Sequence, residues 1–364
     1  MAVEVANGEL LETASIACRA ERCEEAMTAL ERFVQLVPNN ATVHYLLGLC
    51  YGGGCRQHSL VDPDIAQHHL RKALSLFEPE DSQERAKVLG ALGNTYVASR
   101  QLPERARTLT AFECYQKAAA LYEGQGLVDD WAREQYNLGN VCCELPQESF
   151  PDKWEQAIEH YTNALRVRTV ATHPEGHARI LENLGTAYRE LLAGERQANL
   201  LKSIKCYRQA LRVYRPASFP RENAAVHNNL GNTLLSLAQA DRPRGVRHAR
   251  SALHHFEQAL RFRSRDSFPG DYAITQFNRG QALLWLAAEG PELEPYLGQA
   301  EACFREASQN FRISGQGELA AWAEKRLALI KKCLGDRERG DSALPELRTE
   351  PAGDSQKLAA SGSG

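Results

Sequence analysis

A glycine preceded by leucine or arginine recurs six times inside stretches of helical character, at Leu47-Gly48, Leu92-Gly93, Leu138-Gly139, Leu184-Gly185, Leu230-Gly231 and Arg279-Gly280. Successive glycines lie 45, 46, 46, 46 and 49 residues apart. A nearly fixed period of this length marks a chain built by repetition. A repeat array offers an extended surface and no catalytic pocket of its own, so the first functional expectation is binding.

About 25 residues after each glycine stands a second signature: a small residue, an aromatic or leucine, and an alanine. It reads Ala66-Leu70-Ala73, Ala111-Tyr115-Ala118, Ala157-Tyr161-Ala164, Ser203-Tyr207-Ala210, Ala252-Phe256-Ala259 and Ala300-Phe304-Ala307. Offsets of four and three place each trio on one helical face. Glycine inside a helix costs roughly 1 kcal/mol relative to alanine, so six of them need a compensation. Close packing supplies one: glycine on a first helix and alanines on a second let the backbones approach, with the aromatic or leucine expected to fill the gap between neighbouring pairs.

These residues bring the chain to a known pattern. Leu-Gly followed by an aromatic on one helix, then alanine, aromatic, alanine on the next, resembles the tetratricopeptide repeat. Tyr51, Tyr96 and Tyr188 hold the aromatic place three residues after their glycine, while Cys142, Leu234 and Leu283 depart from it. A degenerate unit precedes the others, with Ala14 in the glycine place and Ala26, Leu30, Phe33 and Pro38 following. The longer central units look like repeats of bacterial signalling proteins. The resemblance implies an all-α fold, a right-handed α-solenoid of about seven helix-turn-helix pairs over residues 1–335. It also implies a capping helix at 317–335, in which Leu319, Trp322, Ala323, Leu327, Ile330 and Leu334 share a face. Residues 336–364, rich in charge, Ser, Gly, Pro and Ala, are expected to be disordered.

Composition fits a helical protein without a membrane role. The 364 residues are 43% apolar and carry a net charge of -3, which argues against a dominant nucleic-acid footprint. The start lacks a basic segment followed by an apolar one, and no run approaches the length of a membrane span, so a cytoplasmic location is expected. The ten cysteines follow the repeat: Cys114, Cys206 and Cys303 precede the second-helix aromatic, and Cys50, Cys142 and Cys143 follow the first-helix glycine. They read as small buried hydrophobes. The adjacent pairs His68-His69 and His254-His255 point their side chains about 100° apart on a helix, which opposes chelation by either pair. Gly52-Gly53-Gly54 lacks the lysine and serine or threonine of a phosphate loop and reads as a helix stop. Neither cofactor nor metal is expected, and no catalytic residue is assigned.

The functional expectation rests on an asparagine series. Asn137, Asn183, Asn229 and Asn278 stand two residues before the repeated glycine, and Asn94, Asn140 and Asn232 directly after it, with Thr186 and Gln281 as substitutes. Asparagine is a poor interior helix former, so its recurrence calls for a reason. The family resemblance places both positions in the concave groove, where amides can hold a peptide backbone, and places Arg133, Arg179 and Lys87 on the same side. Asn94 and Asn137 match two asparagines of the family's carboxylate clamp, but Gly90 and Asn183 stand where it has basic residues. A structural ladder between repeats explains the asparagines equally well. The expected function is a non-enzymatic adaptor binding a peptide or helix of a partner protein through Asn94, Arg133, Asn137, Asn140, Arg179, Asn183, Asn229, Asn232 and Asn278. The alternative is a regulatory or sensor subunit acting on a separately encoded effector enzyme. A third reading, nucleic-acid binding through Arg242, Arg244, Arg247, Arg250, Arg261, Arg263 and Arg265, is outweighed by that of a solvated charged edge, since no aromatics are interleaved.

Overall fold

The computed structural model describes residues 23–53, 61–289 and 295–338. Among these there are fourteen α-helices, one 3-10 turn and no strand. The chain divides into two compact units at Thr172 and His173. The first contains α1 (Cys23–Leu36), α2 (Ala41–Tyr51), α3 (Pro63–Leu76), α4 (Ser82–Ala98), α5 (Glu104–Gly124), α6 (Val128–Glu144) and α7 (Lys153–Val167). The second contains α8 (Pro174–Glu190), α9 (Arg196–Val213), α10 (Pro220–Ala240), α11 (Gly245–Leu260), α12 (Pro269–Ala287), α13 (Pro295–Ile313) and α14 (Gly317–Glu338). Antiparallel pairs run α2/α3, α4/α5 and α6/α7 in the first unit, and α8/α9, α10/α11 and α12/α13 in the second.

Helix boundaries follow local chemistry. Prolines after second helices open the next first helix: Pro174, Pro220 and Pro269 occupy the first turn of α8, α10 and α12, where a missing N–H costs nothing. Asn40 caps α2 by accepting from the Val43 amide, and Asp62 caps α3 through the amides of Asp64 and Ile65. Helix α2 stops at Gly52-Gly53, with Gly53 at φ 85°, a left-handed conformation that favours glycine. Within pairs, the second helix closes the first. Lys153 donates from Nζ to the carbonyls of Cys143 and Leu145, Arg196 to those of Arg189 and Leu191, and Asn199 to that of Ala193 at 2.8 Å. Helix α9 accordingly starts at Arg196, close behind the end of α8 at Glu190.

The repeated glycine is a keyhole for the repeated ring. A Cβ at Gly93 would stand 2.4 Å from Tyr115, at Gly139 2.5 Å from Tyr161, at Gly185 2.9 Å from Tyr207, at Gly231 2.5 Å from Phe256 and at Gly280 3.0 Å from Phe304; at Gly48 it would meet Leu70 at 2.4 Å. The ring therefore seats on the glycine of its own pair, a more local role than filling gaps between pairs. The flanking alanines, Ala111 and Ala118 beside Tyr115 among them, are fully buried. Their small size lets the two helices approach closely enough for that seat.

The ends differ from expectation in detail. Helix α1 supplies Leu30 and Phe33 to a core with Val43 and Leu47 of α2; Ala14 lies outside the described residues. Helix α14 closes the second unit by burying Leu319, Ala320, Ala323, Ile330 and Cys333 against Phe304 and Phe311. It runs to Glu338, three residues beyond its expected end. The expected tail from 339 onward lies outside the described residues.

Candidate interaction surface on the first helices

The two asparagine positions do different work. Asn94 and Asn140, just after their glycines, each accept at 2.8 Å through Oδ1 from the hydroxyl of Tyr115 and Tyr161, the ring seated on that glycine. Thr186 makes the equivalent 2.8 Å hydrogen bond with Tyr207. This clip joins the two helices of one pair. Asn232 stands at the same place opposite Phe256, which has no hydroxyl to offer, and remains partly buried.

Positions two before the glycine reach elsewhere. Asn137 donates at 3.0 Å to Glu134 on its own helix. Asn229 of α10 points its amide at Glu182 of α8, 3.5 Å away. Asn278 of α12, 3% exposed, donates at 3.1 Å to Asn228 of α10. In the second unit these side chains thus link first helices of consecutive pairs. Asn183 occupies the same place on α8 and is partly buried.

The three expected cations are engaged as well, Lys87 with Glu84 at 3.9 Å. Arg133 pairs with Asp130 at 2.6 Å and with Glu134 at 3.1 Å and lies over the Tyr122 ring. Arg179 pairs with Glu175 at 2.7 Å and hydrogen-bonds the Tyr214 hydroxyl. Of the seven arginines in the basic run, Arg263 is 7% exposed and donates to Thr275 at 3.0 Å; it leaves the surface cluster, while the other six are exposed.

Two carboxyls on the first helices were not anticipated. Glu134 is 1% exposed and fills the space over Gly90, whose Cβ would stand 2.9 Å from it. That explains why no basic residue occupies position 90. Burial raises the Glu134 carboxyl above its usual range, and Arg133 and Asn137 pull it back only in part. Burial drives Glu182 further, up to about 7, against the opposing charge of Arg263. A signal for Glu182 was present: three residues before the glycine the series reads Tyr45, Gly90, Tyr136, Glu182, Asn228 and Phe277, with a single carboxylate.

A second missed feature is a histidine pair that occurs twice. His44 of α2 and His69 of α3 approach Nδ1 to Nδ1 at 2.9 Å, and His227 of α10 and His255 of α11 do the same at 2.9 Å. His44 donates from Nε2 to the Pro38 carbonyl at 3.0 Å, which leaves its Nδ1 to accept from His69. Burial first, then the neighbouring imidazoles, lowers His69, and likewise His255, to about 4; His227 falls to about 4 through burial and His254. Sequence reasoning compared adjacent histidines, whereas the partners share repeat positions: four before the glycine and one before the ring. Gln135 and His160 fill those positions in α6/α7 and meet at 2.7 Å. Among the described residues no group of three or more His, Cys, Asp or Glu side chains could hold a metal ion. Burial raises the thiols of Cys114 and Cys206 to about 11 and that of Cys142 to about 12, so they pack as neutral groups. No described helix is long and apolar enough to cross a membrane.

No protein-family model matches the chain, and neither does any curated protein. Solved structures do. The C-terminal part of a TPR repeat-containing protein from Cytophaga hutchinsonii is 11% identical with a TM-score of 0.52, covering 85% of this chain and 97% of that one. A Signal Transduction ATPase with Numerous Domains carrying a tetratricopeptide repeat sensor, from Pyrococcus horikoshii, is 15% identical with a TM-score of 0.55, covering 89% of this chain and 44% of that one. At these identities the likeness speaks for the fold. Glycine-seated rings, alanine-lined second helices and stacked pairs in each unit, together with these neighbours, identify an all-α tetratricopeptide-repeat fold.

Proposed function

We propose that the protein is a non-enzymatic interaction scaffold that holds an extended or helical segment of a partner protein against the first helices of its pairs. The observation that carries this reading is Glu182. Its side chain is half-buried and its carboxyl is pushed up to about 7 by desolvation, yet among the described residues no cation lies within 4.0 Å and the hydrogen-bond donor is the Asn229 amide at 3.5 Å. A desolvated carboxyl is costly unless hydrogen-bonded. A donor from a partner segment, a backbone amide or a basic side chain, would complete its shell. Arg179, Asn183 and Asn229 surround that position on the first helices of the second unit and can orient the segment through their amides and guanidinium. In the first unit Arg133 and Asn137 offer the corresponding polar groups.

The test is retention of partners from a native lysate by wild-type protein and by the double variant Glu182→Gln/Asn183→Ala, identified by mass spectrometry and followed by affinity measurement on the retained partner. Side chains at the centre of an interface carry most of its energy, so the double variant should bind at least about tenfold more weakly, with an unchanged helical circular dichroism spectrum. Undiminished affinity in a folded variant removes the reading.

A further inference from the structure

The second helices α9 and α11 carry a charge distribution found on no other second helix of the described chain. Helix α9 has five Lys and Arg residues and no Asp or Glu. Helix α11 and its flanks, from Arg242 to Arg265, expose six arginines. The other second helices interleave both signs: Glu104, Glu113 and Glu123 face Arg105, Arg107 and Lys117 on α5, and Glu301 and Glu306 accompany Arg305 and Arg312 on α13.

Geometry concentrates the excess. Lys205, Arg208 and Arg212 follow one another at offsets of three and four, so they form a stripe along α9. Arg247, Arg250 and Arg261 form a second along α11, with the exposed His254 between them. Both stripes lie on second helices of the second unit. None of these six cations lies within 4.0 Å of a carboxylate among the described residues; Glu257, the acid on α11, reaches toward Arg279 instead. Like charges three and four apart weaken a helix. A chain of net charge -3 that gathers unpaired cations on one face gains nothing for its fold by doing so.

We infer that this face is a docking surface for an acidic, aspartate- and glutamate-rich segment of a partner protein. Two rows of guanidinium and ammonium groups on rigid helices suit carboxylates spaced along a chain. The face has no exposed aromatic ring on which bases could stack. The surface is separate from the first-helix face around Glu182 and does not depend on it.

Fluorescence anisotropy with a labelled peptide of alternating glutamate and serine measures the contact directly. Wild-type protein should bind the peptide with an affinity that falls as salt rises. The variant Arg208→Glu/Arg247→Glu, altered only at exposed positions, should bind at least about tenfold more weakly while melting at the same temperature. Lys117→Glu on α5, where the lysine is 67% exposed, should change binding less than about twofold, because it belongs to a helix of mixed charge in the first unit and to neither stripe. An equal loss in Lys117→Glu would reduce the effect to net charge and overturn the inference. So would a charge-reversal variant that binds like wild type, or tighter binding of single-stranded RNA or phosphatidylserine vesicles than of the peptide.

Discussion

The two units use one repeat and anchor it differently. In the first, the asparagine after the glycine is tied to the tyrosine seated on that glycine, at Asn94–Tyr115 and Asn140–Tyr161, so the polar group locks a pair to itself. In the second, that clip survives once, as Thr186–Tyr207, and then lapses where Phe256 and Phe304 replace tyrosine. There the amides serve between pairs, from Asn229 to Glu182 and from Asn278 to Asn228. Steric fit varies from pair to pair without following the units: the clearance for a Cβ is 2.4 Å at Gly93, 2.5 Å at Gly139 and Gly231, 2.9 Å at Gly185 and 3.0 Å at Gly280. The contrast teaches that the keyed glycine makes the pair, while polar contacts are free to act within a pair or between pairs.

The largest effect should come from filling the keyhole. Gly139→Ala forces the buried Tyr161 ring to move, and overpacking of this kind costs about 2 kcal/mol, read as a lowered denaturation midpoint. Gly280→Ala would place its Cβ 3.0 Å from Phe304, so the ring need shift only by a few tenths of an ångström, and alanine's roughly 1 kcal/mol better helix propensity offsets most of the strain. Equal losses at the two sites would show that the difference in clearance between these two pairs has no energetic weight.

Acid should strike both units and the second harder, because each contains one histidine pair but the first holds one lowered imidazole and the second two. The folded-state values of His69, His227 and His255 lie near 4, below the 6.5 of a free imidazole, so the unfolded chain binds more protons between these limits. Stability is then full above pH about 6.5 and falls as pH drops toward 4, by something of order 1 kcal/mol per lowered imidazole once partial exposure is allowed for. His227→Gln recreates the Gln135–His160 arrangement and should flatten the pH profile of melting for the second unit. A profile identical to wild type would detach these imidazoles from stability.

The smallest effect is a hydroxyl exchanged between units. Tyr161→Phe removes the donor to Asn140 and should cost about 1 kcal/mol. Phe256→Tyr presents a hydroxyl toward Asn232 and should recover up to a few tenths. If Tyr161→Phe is neutral in urea denaturation, the clip does not distinguish the units.

The fold was legible because packing left its mark at a fixed period. A glycine and a ring that must touch cannot drift independently, so their spacing survives in each pair. The candidate site was harder to read for a physical reason. Asn94 and Asn278 look alike on a helical wheel, yet one meets a tyrosine on its own pair and the other an asparagine on the next, and that choice depends on three-dimensional partners absent from a periodicity. Glu134 shows the same limit: its burial comes from a missing side chain at Gly90, forty-four residues earlier. The histidine pairs were readable in principle. Comparing residues at equal repeat offsets, and not neighbours in the chain, would have joined His44 to His69.

Keeping the lock between ring and glycine inside each pair has a consequence for how such a chain changes over time. A pair that carries its own key can be copied, deleted or moved as a cassette, since nothing in its closure refers to a neighbour. The joints, by contrast, add to their apolar packing a few interchangeable polar residues on the first helices. Lineages can therefore retune how pairs meet, and what they hold, one side chain at a time, without rebuilding the pairs themselves.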